Sequence, residues 1–135
     1  MISYTETLMG IEAAHLRAFF VGWPNPPSPE THLRLLQNSD HIVLAVDEGT
    51  GNTVGFITAI SDGVLSAYIP LLEVLPPFQG KGIGRELLRR LLEKLEGLYM
   101  VDVICDPELQ PFYERLGMRK YTGMMLRRPE NQSGR

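Results

Sequence analysis

Leu72-Glu73-Val74-Leu75-Pro76-Pro77-Phe78-Gln79-Gly80-Lys81-Gly82-Ile83-Gly84-Arg85-Glu86-Leu87-Leu88 holds the change of period that decides how this chain folds. Its first four residues close an extended run, Val64 to Leu75, interrupted only by Pro70. Pro70 has no N–H to give to a ladder, so a bulge or an unpaired position is expected there. Pro76 and Pro77 stop the strand. From Gly82 onward the apolar residues take helical spacing: Ile83, Leu87, Leu91 and Leu95, with Leu88 and Leu92 beside them. Arg85, Glu86, Arg89, Arg90, Glu93 and Lys94 fall on the opposite face, and Gly97 offers a C-cap. Leu98 to Cys105 then reads as a buried strand. Strand, helix and strand in this order imply one parallel pair joined by a right-handed crossover.

The flanking sequence is built differently. Ile42 to Val46 and Thr53 to Ile60 are β-branched, apolar runs around the turn cluster Asp47-Glu48-Gly49-Thr50-Gly51-Asn52, which predicts an antiparallel hairpin. Ser28-Pro29-Glu30 is a helix start, with Ser28 as N-cap and Pro29 at the first helical position; the helix closes at Ser39-Asp40. Ahead of it, Ile2 to Thr7 reads as a first strand and Ile11 to Val21 as a helix, ended by Gly22-Trp23-Pro24-Asn25-Pro26-Pro27. Asp106-Pro107-Glu108 starts another helix that runs to Leu116-Gly117, and Met118 to Arg127 reads as a last strand. The fold class is therefore mixed α/β: a mostly antiparallel, twisted sheet with one parallel pair, flanked by about four helices. Residues 1–128 are expected to form a single domain and 129–135 a flexible tail.

Composition narrows the function. The 135 residues are 44% hydrophobic with a net charge of −3, so a packed core is available and broad attraction to nucleic acid or anionic membranes is not expected. Cys105 is the single cysteine, which excludes an internal disulfide and a Cys-rich zinc site. His15, His32 and His41 are scattered without ligand spacing, so no metal is expected. No apolar run approaches the roughly 20 residues that span a membrane, and the first residues lack a secretory pattern, so a cytoplasmic protein is expected.

Chemistry concentrates in the turn between strand and helix. Gly80, Gly82 and Gly84 strip side chains from it, so backbone N–H groups can approach a ligand while the helix dipole, Lys81 and Arg85 add positive character. Tight turning and close helix–sheet packing would call for the same glycines. A P-loop is excluded because Leu75 stands where its first glycine belongs and Gly82 where its Ser or Thr belongs. A dinucleotide fingerprint fails at Arg85 or at Leu87, depending on the starting glycine.

Gln79-Gly80-Lys81-Gly82-Ile83-Gly84 does match Gln-x-x-Gly-x-Gly, and so resembles the pyrophosphate-binding signature of the GNAT superfamily of acyl-CoA-dependent N-acyltransferases. Leu72-Glu73-Val74-Leu75-Pro76 resembles the family strand that splays from its neighbour beside the pantetheine arm. Phe112-Tyr113-Glu114-Arg115-Leu116-Gly117-Met118 is similar to the family's Phe-Tyr-x-x-x-Gly-Phe segment. Asp106 departs from the pattern, standing where many relatives have a cofactor-bonding Asn, and reads as an N-cap. The resemblance implies a GNAT-like fold with the parallel pair splayed at the cofactor site. It also implies acetyl-CoA as co-substrate, held by Val74, Leu75, Gln79, Gly80, Lys81, Gly82, Ile83, Gly84 and Arg85, and a small-molecule or peptide amine as acceptor. Small relatives often dimerise, so the resemblance allows a homodimer.

Acetyl transfer from a thioester to an amine needs a neutral amine, a donor to the oxyanion and a proton for the leaving thiolate. The resemblance assigns the last to Tyr113, whose phenol is protonated at pH 7; a core tyrosine is the competing reading. A backbone N–H at Val74 or Leu75 would meet the oxyanion. Glu73 is the acid in the strand, sharing a face with Leu71 and Leu75, and is the candidate base or holder of a cationic amine. Tyr68 and ordered water are alternatives. If the fold is right, Phe20 and Trp23 border the acceptor cleft. A non-catalytic acyl-CoA sensor on the same fold is the competing function.

Overall fold

The computed structural model describes residues 1–134. Its elements are β1 (Ile2–Thr5), α1 (Pro29–Asn38), β2 (His41–Asp47), β3 (Thr53–Ser61), β4 (Ser66–Ile69), β5 (Leu72–Val74), α2 (Ile83–Lys94), β6 (Met100–Val103) and α3 (Gln110–Glu114), with short 3-10 turns between them. One sheet runs in the order β1-β2-β3-β4-β6, and β5 also pairs with β3. Every pairing is antiparallel except β4 with β6, where Ser66 faces Met100 and Ile69 faces Val103. The expected mixed sheet with one parallel pair across α2 is thus present.

Local chemistry explains the elements that the sequence predicts. Ser28 Oγ accepts the Thr31 N–H at 3.1 Å and Pro29 occupies the first position of α1. α2 lays Ile83, Leu87, Leu88 and Leu91 on the sheet, where they pack with Val43, Ile57, Ala59 and Ile69 in the main core. A second core, Leu16, Phe19, Phe20, Leu36, Leu44 and Phe56 among others, fills the opposite face of the sheet under α1. Pro70 produces the expected bulge. Ile60 faces Tyr68 but Ile57 faces Leu72, so three steps along β3 match four along the other chain.

Two expected elements are absent. Ile11 to Val21 is not a helix; it holds a 3-10 turn at Ala13–His15, so three α-helices flank the sheet rather than four. Ala18 and Phe20 have φ of 72° and 62°, which no right-handed helix accommodates. The amides of Phe20 and Val21 are given instead to the carboxylate of Glu73, at 2.8 and 3.3 Å, and a long-range bond replaces the helical one. Met118 to Arg127 forms no strand. From Arg119 on its residues are exposed, with Tyr121 at 97% and Met124 at 93%, and among the described residues no strand offers them a ladder. Beyond them a 3-10 turn at Pro129–Asn131 brings Gln132 and Gly134 to α1, where Asn25 N donates to Gln132 Oε1 (2.8 Å) and Arg34 Nη2 to Gly134 O (2.7 Å). β6, expected to be buried, is a half-exposed edge strand. Among the described residues no helix is long and apolar enough to cross a membrane.

Candidate active site

β5 opens the site. Leu75 N donates to Val54 O at 2.8 Å and Thr58 N to Leu71 O at 3.1 Å, and bonded pairs alternate in an antiparallel ladder. Glu73 therefore exchanges bonds with Phe56, while the N–H and C=O of Leu72 and Val74 point away from β3. β4 and β6 stop pairing at Ile69 and Val103, so among the described residues no strand covers that side of β5. The two strands splay there. Of the two candidate oxyanion donors the geometry leaves Val74 N–H facing the gap, since that of Leu75 is committed to β3. The Val74 carbonyl accepts from Gln79 Nε2 at 2.9 Å, which ties the following turn to the strand end.

The turn itself is open, with its backbone uncovered. Gly80 and Gly82 have φ of 76° and 83°, Gly82 is the N-cap of α2, and a Cβ built on either meets nothing within 4 Å. The glycines are required by backbone conformation and face open space. The first intrahelical bond runs from Glu86 N to Gly82 O, so the N–H groups of Ile83, Gly84 and Arg85 have no partner within the helix. Lys81 and Arg85 are exposed and make no ion pair among the described residues; Lys81 Nζ rests 5.5 Å from the Phe78 ring centroid. Glu86, one turn in, would oppose an anion. Its carboxylate is tied at 2.6 Å to Arg89 and at 2.6 Å to Arg90, whose hydrogen bonds hold its pKa down at about 2.

Gly84 is different. Its φ is ordinary, and an added Cβ would meet the Phe112 ring and Val74 Cγ2 at 3.7 Å, a normal contact. This one position joins the three sequence features, since Val74 ends β5, Gly84 opens α2 and Phe112 lies on α3. We expect Gly84→Ala to change unfolding free energy by less than about 1 kcal/mol, its contact being matched by helix propensity. Gly80→Ala and Gly82→Ala should each lose about 1–2 kcal/mol to left-handed strain. Urea unfolding of the three variants checks the ranking, and equal losses would contradict it.

On the other face of the sheet lie two adjoining cavities. One of about 350 Å³ is lined by Phe20, Trp23, Leu71, Glu73, Val74 and Gln79 among others. Its neighbour, about 400 Å³, shares Phe20, Trp23 and Leu71 and adds Arg34 and Leu35 of α1 with Gln132 and Gly134. Phe20 and Trp23, whose rings are 4.9 Å apart, line both cavities. Glu73 lies between them and β5, half-buried, on the face of Leu71 and Leu75, and its oxygens already hold the loop amides of Phe20 and Val21. Tyr68 shares that face through its pairing with Ile60 but lines neither cavity.

Tyr113 sits on α3 in the main core, 7% exposed, its ring edge-on to Phe112 at 5.1 Å. Burial pushes its phenol up to about 12, with a smaller contribution from Cys105. Cys105 is half-buried, and burial, then Asp106 and Glu108, raise its thiol above the ordinary value, which suits a packed side chain rather than a nucleophile. Sequence reasoning missed His32. It is 1% exposed and packed against Phe19, Phe20 and Phe56, so it backs the cleft wall, and burial lowers its pKa to about 4. Arg34, Gln132 and Gly134 were missed as well. Nothing local marks them, because tertiary packing alone carries them to the cleft. Among the described residues no His, Cys, Asp and Glu cluster could hold a metal.

The chain and its fold are similar to known proteins. A family model described as the acetyltransferase (GNAT) family matches residues 8–118. A crystal structure of a proposed acetyltransferase from Deinococcus radiodurans R1 is 49% identical, superposes with a TM-score of 0.95, and the match covers 98% of this chain and 92% of that one. GCN5-related N-acetyltransferase 1, chloroplastic, of Arabidopsis thaliana is 31% identical over 83% of this chain. An N-acetyltransferase of Pyropia yezoensis, ycf52, itself uncharacterized, is 30% identical over 74%. The chain spans 58% and 59% of the length of these two relatives. With the model match extending over most of the sequence, and with its three motifs meeting at Gly84 in the fold, the chain belongs to the GNAT family of acetyltransferases.

Proposed function

We propose that the protein transfers an acetyl group from acetyl-CoA directly to a primary amine. The observation that carries this reading is the adjacency of the outward-facing Val74 edge, the open turn at Gly80–Gly82 and the Glu73 cavity. Backbone N–H groups at the start of α2, with Lys81 and Arg85, would hold the pyrophosphate. When bound, acetyl-CoA supplies an activated thioester carbonyl. Val74 N–H would donate to the developing oxyanion as the amine nitrogen bonds to that carbon. The C–S bond breaks as the tetrahedral centre collapses, the nitrogen gives its proton to water, and Tyr113 donates toward the departing sulfur. The raised Cys105 thiol argues against a covalent relay, which favours direct transfer.

Glu73 has a second task in this scheme. Its two oxygens anchor the loop that bears Phe20, and their remaining lone pairs are available to a cationic amine. Glu73→Gln should lower kcat/KM by about 10- to 100-fold, mostly through KM. A loss confined to kcat, with a displaced acid limb of the pH profile, would make Glu73 the base instead.

Acetyl-CoA titration followed by melting temperature tests the reading without knowledge of the acceptor. At about 100 times Kd it should add roughly 2.7 kcal/mol, a rise of several degrees. ATP and NAD should give none. Thiol release with a panel of amines then separates an enzyme from an acyl-CoA sensor, which would bind and release nothing. No shift at millimolar acetyl-CoA overturns both.

A further inference from the structure

The two adjoining cavities carry opposite charges. Glu73 is the one charged residue lining the cavity of about 350 Å³, and Arg34 the one charged residue lining its neighbour of about 400 Å³. Phe20, Trp23 and Leu71 line both, so an apolar wall runs from the one charge to the other. That wall is held in place from behind: Phe20 is buried, and its ring packs on Trp23, His32 and Phe56.

Neither charge is cancelled within the protein. The Glu73 carboxylate accepts from two backbone amides, which are neutral donors. Arg34 Nη2 donates to the Gly134 carbonyl at 2.7 Å, and among the described residues the guanidinium pairs with no carboxylate and makes no further hydrogen bond. Gly134 lines the same cavity, so this guanidinium already grips an oxygen at the cavity wall. A guanidinium offers five N–H donors in a planar fork that fits a carboxylate two bonds at a time, and only one donor is used here. Gln132 adds a neutral donor beside it: its Oε1 is taken by Asn25 N, while its Nε2 has no partner among the described residues.

A ligand that complements both cavities is therefore positive at one end, apolar in the middle and negative at the other. A second cation in place of the anion would meet Arg34 as a like charge. A lone guanidinium matches a carboxylate more closely than a phosphate group, whose charge approaches −2. We propose that the acceptor is a primary amine joined through an apolar body to a carboxylate, and that Arg34 selects it by binding that carboxylate. The proposal rests on the acetyl-transfer reading, which sets the amine end at Glu73, and it disfavours polycationic amines.

Three primary amines with one rigid body give the test: 4-(aminomethyl)benzoate, 4-methylbenzylamine and 1,4-bis(aminomethyl)benzene, which differ only in the group opposite the reacting arm. Thiol release from acetyl-CoA should give the carboxylate a kcat/KM roughly 10- to 100-fold above the diamine, with the neutral amine between them and the gap narrowing in added salt. In Arg34→Glu the order should reverse, with the diamine first. Damage to the fold, or loss of the Gly134 bond, would lower all three together and cannot produce a reversal. Calorimetric titration of the same amines into the protein reads the ranking without turnover, so absence of thiol release bears on acetyl transfer alone. No binding of the carboxylate, equal binding of the three amines, a wild-type preference for the diamine, or an order that survives Arg34→Glu would each overturn the proposal.

Discussion

Gly82→Glu is expected to weaken acetyl-CoA binding by roughly 100-fold or more, since a like-charge contact costs several kcal/mol and about 1.4 kcal/mol is a factor of ten. The structural reason is local. Gly82 caps α2 at φ 83°, its missing Cβ faces open space, and the three amides that follow it have no partner within the helix. A glutamate there places both bulk and negative charge at the anion position. Left-handed strain should cost the fold about 1–2 kcal/mol, well below the roughly 5–15 kcal/mol that holds a domain together. Calorimetry on folded variant protein is therefore the proper reading, with Gly82→Ala as the control that adds strain but no charge. Unchanged affinity in the glutamate variant would falsify the turn as the pyrophosphate site.

How far the sequence could carry the fold depends on the range of the interaction that decides each element. The β2–β3 hairpin, the Ser28 cap of α1, the bulge at Pro70 and the α2 face were legible because each is decided within a few residues. Residues 11–21 were misread because Leu16, Phe19 and Phe20 have helical spacing and do become buried, yet the backbone follows the carboxylate of Glu73, 53 residues from Phe20. No window of local sequence contains that bond. Met118 to Arg127 shows the converse. Its residues carry the apolar pattern of a strand, but a strand also needs a neighbour, and among the described residues β6 does not provide one.

The site divides along the same line. The glycine turn announces itself because its chemistry lies in consecutive backbone groups. The proposed acceptor cleft does not, since Arg34, Leu71, Gln132 and Trp23 reach it from four separate parts of the chain. Glu73 was visible as an acid facing the cleft, but its tether to Phe20 and Val21 was not. That tether gives one residue two consequences. Removing the charge would alter the proposed amine's surroundings and also loosen the loop that shapes the cleft, both of which act on binding, so Glu73→Gln is expected to act mostly through KM.

Tyr113→Phe should lower kcat while leaving the fold intact, and the size of the loss follows from the phenol's surroundings. The hydroxyl makes no hydrogen bond among the described residues, and the ring lies in an apolar core where phenylalanine fits equally well. The melting temperature should therefore move by no more than about 2 °C, a fraction of 1 kcal/mol. Burial pushes the phenol up to about 12, so it is protonated at neutral pH, and removing it should not reshape the pH profile between about 6 and 9. The same elevation limits what it can deliver. Full proton transfer from a phenol near 12 to a thiolate whose acid sits near 8.5 runs uphill by about 5 kcal/mol. In the proposed reaction Tyr113 would thus act mainly by hydrogen bonding to the charge developing on sulfur, with solvent completing protonation. Out of the roughly 10- to 1,000-fold available to a positioned donor, the loss should fall toward the ten-fold end, appear in kcat more than in KM, and keep the same pH limbs. An unchanged kcat would return Tyr113 to a packing role. A loss accompanied by the disappearance of an alkaline limb that the wild type shows would mean that bound substrate lowers the phenol far enough for full proton transfer.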